Sequence, residues 1–441
     1  MAMVRATKLS DFYDVFAPEF LKENEMDAFY CENTMKYRTG SERDSPIDDI
    51  EELITNNPSS NNAVLFLGHR GCGKSTELVK LASKLRDEQN YNVKIINCNL
   101  ELDLDYSDTP YWELFILLTQ KLIEIANELD CDISKTIVDK ALSYWYDKSE
   151  TTTFQEELAF GIESEVSVGA GLKGLLGAFI KASGHIKNKS EQRTDIIKKV
   201  ERRAFEWIEI IKLISHSIQS KSDGKMPILI LEELDKINDR PAIEIFCKNA
   251  SVLSQLPFKA IYTFPINLFY SEEFSAFKGR FQHYTLPMIK VHNKDMTENK
   301  EGINIIKNIV YKRADECLFD EFALEEMIKK TGGALRDLFE VIMKAGAMAN
   351  RQNAGKLCME DAKLALNRFK SDLLRTIEVK DYEFLTSVHL KKEQIPDSSQ
   401  LLRFMRSAVV LEYNGMRWHD LHPLVYDFLK DQGIFDEQEQ K

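Results

Sequence analysis

Cysteine is scarce in this chain and never paired in spacing. The seven cysteines, at 31, 72, 98, 131, 247, 317 and 358, form no C-x-x-C motif. That leaves no zinc-ribbon pattern and no disulfide framework, and reads as reduced thiols in a cytoplasmic protein. Positive charge is in deficit: 58 Lys and Arg stand against 71 Asp and Glu, a net charge of −13. A protein that coats nucleic acid needs the opposite balance, because its affinity comes from neutralising phosphates. A local basic patch is still allowed. No apolar run approaches the ~20 residues that cross a bilayer. The first twenty residues mix charged and apolar side chains, so no signal peptide is expected. No internal repeat is visible. What is present is an ordinary soluble composition, 44% hydrophobic over 441 residues, enough for two or three domains.

One motif dominates the rest. Gly68-His69-Arg70-Gly71-Cys72-Gly73-Lys74-Ser75-Thr76 has the full phosphate-loop spacing. An apolar run, Ala63 to Leu67, precedes it and a helical pattern from Glu77 follows it. The predicted context is therefore strand, glycine-rich turn, helix. In such a turn successive backbone N–H groups face phosphate oxygens, and the helix start adds its positive end. Lys74 supplies a point charge for the outer phosphates, and the Ser75 hydroxyl is placed for Mg²⁺. Gly68, Arg70, Gly71, Cys72, Gly73, Lys74, Ser75 and Thr76 are the candidate nucleotide-binding residues. Far downstream a second apolar run ends in Glu232-Glu233-Leu234-Asp235. Adjacent carboxylates at a strand end suit a Mg²⁺ shell (Glu232, with Ser75) and a base that polarises water (Glu233).

The order of elements predicts an α/β architecture with a mainly parallel sheet. Strands are expected at 63–67, 92–98, 226–231, 259–264 and 283–291, with helices near 110–129, 191–219 and 240–256. Residues 1–60 lead into a core over 61–295, which carries an insertion near 148–219. Within it, 166–184 is rich in Gly and Ala and reads as an inserted loop or hairpin that packs on a partner. Residues 296–375 are helical throughout and form a lid. The remaining 376–441 hold two apolar runs around Asn414-Gly415, a hairpin signal, and then a helix from Pro423. Arg403, Arg406 and Arg417 are the cations of this module that can meet phosphates, among acidic neighbours. His419 and His422 read as packed or hydrogen-bonded rather than as a metal pair.

Over roughly residues 35–375 the chain resembles AAA+ ATPases of the origin-recognition and replication-initiator type, a clade close to the STAND signalling ATPases. The resemblance rests on the phosphate loop, on Ile228-Leu-Ile-Leu-Glu-Glu-Leu-Asp235, and on Gly332-Gly333-Ala334-Leu335-Arg336-Asp337-Leu338. It implies a phosphate-loop parallel-sheet ATPase core, a helical lid and a C-terminal winged-helix module, with ATP and Mg²⁺ as cofactors. Thr263 falls where that family places a residue near the γ-phosphate. Arg280, in Gly279-Arg280-Phe281, falls where it places an arginine finger that reaches a neighbouring subunit, which implies ATP-dependent homo-oligomers. Arg336 falls where it reports the γ-phosphate to the lid. The chemistry agrees: a guanidinium is always charged and its planar fork fits phosphate oxygens. Arg336 at a helix start opposes the helix dipole, which points to an anion nearby.

One position departs from the family, which carries Asp where this chain has Glu232. Glu is one methylene longer, so turnover depends on how the extra reach is accommodated. The guanine-reading Asn/Thr-Lys-x-Asp pattern is absent from its expected places, which leaves ATP as the expected nucleotide. The Gly/Ala-rich segment and Tyr413-Asn-Gly-Met-Arg-Trp418 resemble accessory ATPases of bacterial antiviral defence. The resulting expectation is a regulatory ATPase acting on a protein partner; the alternative is a DNA-binding initiator.

Overall fold

A computed structural model describes residues 3–102, 111–131, 204–393, 398–413 and 418–435, with isolated positions between 176 and 198. Five short segments form parallel strands: β1 (Asn62–Leu67), β2 (Val93–Asn97), β3 (Ile228–Glu232), β4 (Lys259–Phe264) and β5 (Gln282–Thr285). Their order across the sheet is β2-β3-β4-β1-β5. Every strand runs the same way, so all C-terminal ends open on one edge. β4 lies between β1 and β3, with Leu65 opposite Tyr262 and Ile230 opposite Ile261. Strands two apart are separated by roughly 10 Å. The end of β3 therefore faces the end of β1 across a gap one strand wide, the position where open α/β sheets bind ligands. β3 and β4 are buried along their whole length, as a parallel strand covered on both faces must be.

Two helix boundaries and one strand differ from the sequence reading. The fifth strand ends at Thr285 rather than continuing to 291. Pro287 lacks an N–H for the ladder, and its carbonyl is taken by Arg38 Nη1 at 2.7 Å. The helix expected over 240–256 is broken into Asp239–Ile243, a wider turn over Glu244–Lys248, and Ala250–Leu253. Of the charged helix expected over 191–219, the described part is Ala204–Lys221. The Gly/Ala-rich stretch, apart from a few isolated positions, and the Asn414-Gly415 turn lie outside the described residues.

The lid is four helices, Lys300–Arg313, Glu321–Lys330, Leu335–Arg351 and Met359–Leu374. The N-terminal residues complete its core. The Phe12 ring stacks on Phe319 with centroids 5.2 Å apart, and Phe16 packs on Phe339 at 5.4 Å. Two helices, Glu23–Phe29 and Thr34–Thr39, then cover the phosphate-loop helix Lys74–Asp87. Tyr30 donates from its hydroxyl to Glu77 Oε2 at 2.9 Å and ties the cover down.

The C-terminal module has two helices, Tyr382–Lys391 and Ser398–Arg406, an antiparallel hairpin of β6 (Val410–Tyr413) and β7 (Trp418–Leu421), and a closing helix, Pro423–Asp431. This is the winged-helix arrangement. Its hairpin is not free: Leu411, Tyr413 and Trp418 belong to the same apolar cluster as Val64, Phe66 and Ile230 of the sheet. Among the described residues no helix is long and apolar enough to cross a membrane.

Candidate nucleotide site

The loop after β1 turns tightly at glycines. Gly68, Gly71 and Gly73 have φ of 152°, 80° and 104°. Gly71 is fixed by contact as well as by φ, since a Cβ there would lie 2.4 Å from Arg336 Cβ. That approach brings the lid against the loop, and the Arg336 N–H donates to the Gly71 carbonyl at 3.4 Å. The helix start at Lys74 follows directly.

Lys74 is 6% exposed, and its ammonium is fully engaged. It donates to the carbonyls of Gly68 at 2.8 Å and His69 at 3.0 Å, and pairs with Asp235 Oδ2 at 2.8 Å. Burial pulls the Lys74 pKa down, but the Asp235 carboxylate outweighs it and the net shift is upward. Burial likewise opposes ionisation of Asp235; Lys74, Lys236 and Arg70 together hold its pKa below the usual range. Both groups of this buried pair are therefore charged.

Ser75 Oγ donates to Glu232 Oε2 at 2.6 Å, so the longer acid does reach the loop. Glu232 is 2% exposed, and burial pushes its pKa up to about 7 against the pull of the Ser75 hydrogen bond. Its second oxygen, Oε1, is buried with no hydrogen-bond partner. An orphaned carboxylate oxygen beside a serine hydroxyl at the phosphate loop fits Mg²⁺, a hard cation that takes oxygen ligands. Glu233 lines the cavity in a left-handed conformation, φ 75°, and its carboxylate pairs with Lys236. Such a conformation is uncommon for a residue with a Cβ and concentrates at functional sites.

The cavity in front of the loop holds about 480 Å³, within the size range of small-ligand sites. Arg70, Gly71, Gly73, Lys74, Ser75 and Thr76 form its polar wall. Phe20, Leu21 and Phe29 of the cover and Ile309, Leu335 and Phe339 of the lid form its apolar end. Arg336 also lines it; its guanidinium donates no hydrogen bond to a described residue and is free for an anion. Arg70 donates to the Lys236 carbonyl at 3.1 Å. Cys72 instead turns inward and joins the apolar cluster beneath the loop, which leaves only its backbone for a ligand.

Gly68, Cys72, Glu232, Thr263 and Arg280 do not line this cavity. Thr263 is fully buried; its hydroxyl donates to the Leu231 carbonyl at 3.0 Å and accepts the Leu234 N–H at 3.1 Å. It pins the turn that presents Glu233 and Asp235. Arg280 is exposed in a short turn before β5 and does not line the cavity. Three residues escaped the sequence reading. Asp235 was visible only as the end of an acidic motif, yet it is the partner of Lys74. Arg38 lines the cavity with its Nε unpartnered and its Nη2 3.2 Å from the place of a Cβ on Gly73. Asn267, beyond β4, shares a narrow cleft with Gly68, Arg70 and Asp235 and donates to Asp239 Oδ1 at 3.0 Å. Spacing shows none of these, because each approaches from a separate element.

The site lies on a three-layer phosphate-loop fold with a helical lid and a winged-helix module. Neither a protein-family model nor a curated protein sequence matches the chain. Among solved structures it is similar to the Aeropyrum pernix ORC2 protein, at 11% identity and a TM-score of 0.40, covering 90% of this chain and 94% of that one. It is similar to Cdc6p from Pyrobaculum aerophilum, at 12% identity and a TM-score of 0.39, covering 92% and 98%. The Thermotoga maritima RuvB Holliday junction branch migration motor follows at 10% and 0.35, covering 93% and 97%. Likeness at this level carries no argument about this chain.

The protonation of Glu232 makes stability depend on pH. A folded pKa of about 7 lies above the unfolded value of roughly 4.3. The folded chain then binds more protons between these values, so this residue's contribution is full below the lower pKa and declines as pH rises through 7. Glu232→Gln removes that decline. Urea denaturation of both proteins at pH 5 and pH 8 is expected to show the variant gaining relative stability at pH 8; an equal difference at both pH values contradicts the assignment.

Proposed function

We propose that this chain binds ATP with Mg²⁺ in the cavity and hydrolyses it as a switch that acts on a protein partner. The observation that carries the reading is the joint closure of loop and acidic strand end: Lys74 on Asp235 and Ser75 on Glu232, beside a cavity that Arg336 enters. Loop N–H groups and Lys74 bind the phosphates, and Arg336 and Arg38 add charge from the lid and the cover. Ser75 and Glu232 would hold Mg²⁺, which would supply charge neutralisation on the outer phosphates. Glu233, released from Lys236, takes the proton of the attacking water at its carboxylate. Thr263 acts through the turn that it pins, as a positioning residue.

The C-terminal module supports a protein partner over DNA. Arg403 is spent on Asp381 at 3.2 Å and Arg406 on Asp239 at 2.6 Å, while Arg417 lies outside the described residues. Two of the three arginines expected to meet phosphates are thus paired with carboxylates of this chain. The exposed position of Arg280 supports assembly in which it reaches a neighbour's nucleotide. A part in bacterial antiviral defence rests on the resemblance of the Gly/Ala segment and the hairpin sequence.

Lys74→Ala is expected to abolish ATP binding in an equilibrium assay while circular dichroism stays unchanged. Retained affinity defeats the proposal. In cells, phage plaque counts with this variant matching those with the unaltered chain would defeat the defence reading. Glu233→Gln should keep ATP affinity and lose turnover, by about a hundred-fold or more; normal turnover would move the base elsewhere. If Arg280 acts in trans, turnover per chain rises with protein concentration, and Arg280→Ala flattens the rise. Strict proportionality of rate to concentration, with a monomer by light scattering in ATP, excludes a finger.

A further inference from the structure

His69, the second residue of the phosphate loop, faces two ways. Its carbonyl accepts a hydrogen bond from Lys74 Nζ at 3.0 Å, inside the phosphate site. Its ring, 2% exposed, accepts the backbone N–H of Glu412 at Nε2, 2.7 Å away. Glu412 lies in the middle of β6, so one residue touches both the phosphate-binding lysine and the C-terminal hairpin. Burial, with Lys74 and His419 adding to it, lowers the His69 pKa to about 3, so the ring is a neutral acceptor across the working pH range. The same hairpin is held at a second point on the nucleotide side. Tyr413 donates from its hydroxyl to the Gly332 carbonyl at 3.0 Å, just before the lid helix of Arg336. Gly332 has no room for a side chain there, since a Cβ would lie 2.9 Å from both Leu411 and Pro423. A shift of the loop or of the lid start therefore has to be met by a shift of the hairpin.

We propose that His69 is a positioning residue that makes nucleotide binding and seating of the C-terminal hairpin one linked equilibrium, so that the module forms part of the phosphate site. The inference rests on the nucleotide reading above. Nucleotide replaces Asp235 as a partner of Lys74, fixes the loop and thereby fixes the ring that holds the Glu412 N–H. Linkage is reciprocal: whatever nucleotide adds to the seating of the hairpin, a seated hairpin adds to nucleotide affinity.

The Glu412 amide reports the link directly. Its hydrogen exchange is measured by NMR in the full chain, alone and saturated with ADP or a slowly hydrolysed ATP analogue, with nucleotide affinity measured in parallel. Nucleotide is expected to slow this exchange by about five-fold or more. His69→Leu removes the acceptor, and both the slowing and a matching factor of affinity are lost. His69→Gln, whose Oε1 can occupy the place of Nε2, restores both. Tyr413→Phe, which leaves the phosphate loop untouched, is expected to weaken affinity in the same direction. Nucleotide binding with no change at the Glu412 amide overturns the proposal alone, as does a His69→Leu protein that responds like the unaltered chain. Unchanged affinity in Tyr413→Phe also overturns it. Failure of the unaltered chain to bind any nucleotide overturns the nucleotide reading and this proposal together.

Discussion

A lysine ammonium buried at the start of the phosphate-loop helix is the constraint around which the site is arranged. Removing such an ion from water costs several kcal/mol unless partners replace the solvent. Lys74 has three N–H donors and three acceptors: two loop carbonyls and the carboxylate of Asp235. The carbonyls come from the loop's own turn. The carboxylate comes from the turn after β3, which reaches Lys74 only because the parallel sheet opens both strand ends on one edge. Thr263 then fixes that turn from β4, the strand in between. An anion entering the cavity exchanges one partner of the ammonium for another and does not have to create a buried charge.

Charge in this protein is a local matter. The chain is acidic overall, yet Lys74, Arg70, Arg38 and Arg336 all line one cavity. Glu233 and Asp235 line it too, both paired, while Glu232 is buried at the strand end beside Ser75, its pKa pushed up to about 7 by burial. The acid with an orphaned oxygen is thus the one that a cation would ionise. The basic side chains of the C-terminal module show the converse. Arg403 and Arg406 can meet phosphates as far as the sequence goes, and folding spends them on carboxylates.

The C-terminal module is continuous with the core. Leu411, Tyr413 and Trp418 fill the same apolar cluster as β1 and β3. A further ion pair, Lys330 with Asp427 at 2.5 Å, ties the closing helix to the lid. Lid, loop and hairpin meet around Gly332 and His69, so movement of one displaces packed neighbours rather than solvent.

Sequence alone determined the local features, because their causes are local. The glycine spacing and flanking apolar runs of 63–76 specify strand, turn and helix, and the structure has them there. The apolar run ending at Glu232 is a fully buried strand, and the lid's helical periodicity becomes four helices. The early end of β5 was legible in principle, since Pro287 has no N–H, but an apolar run masked it. Tertiary structure alone decided which residues meet. Asp235 rather than Glu232 holds Lys74, because the turn after β3 carries it past the strand end. Arg38 reaches the loop from the N-terminal cover, and His69 is gripped by a backbone N–H from 343 residues further along the chain. A main-chain donor leaves no trace in side-chain chemistry, and partners brought together by strand order leave none in spacing; only the packed chain shows them.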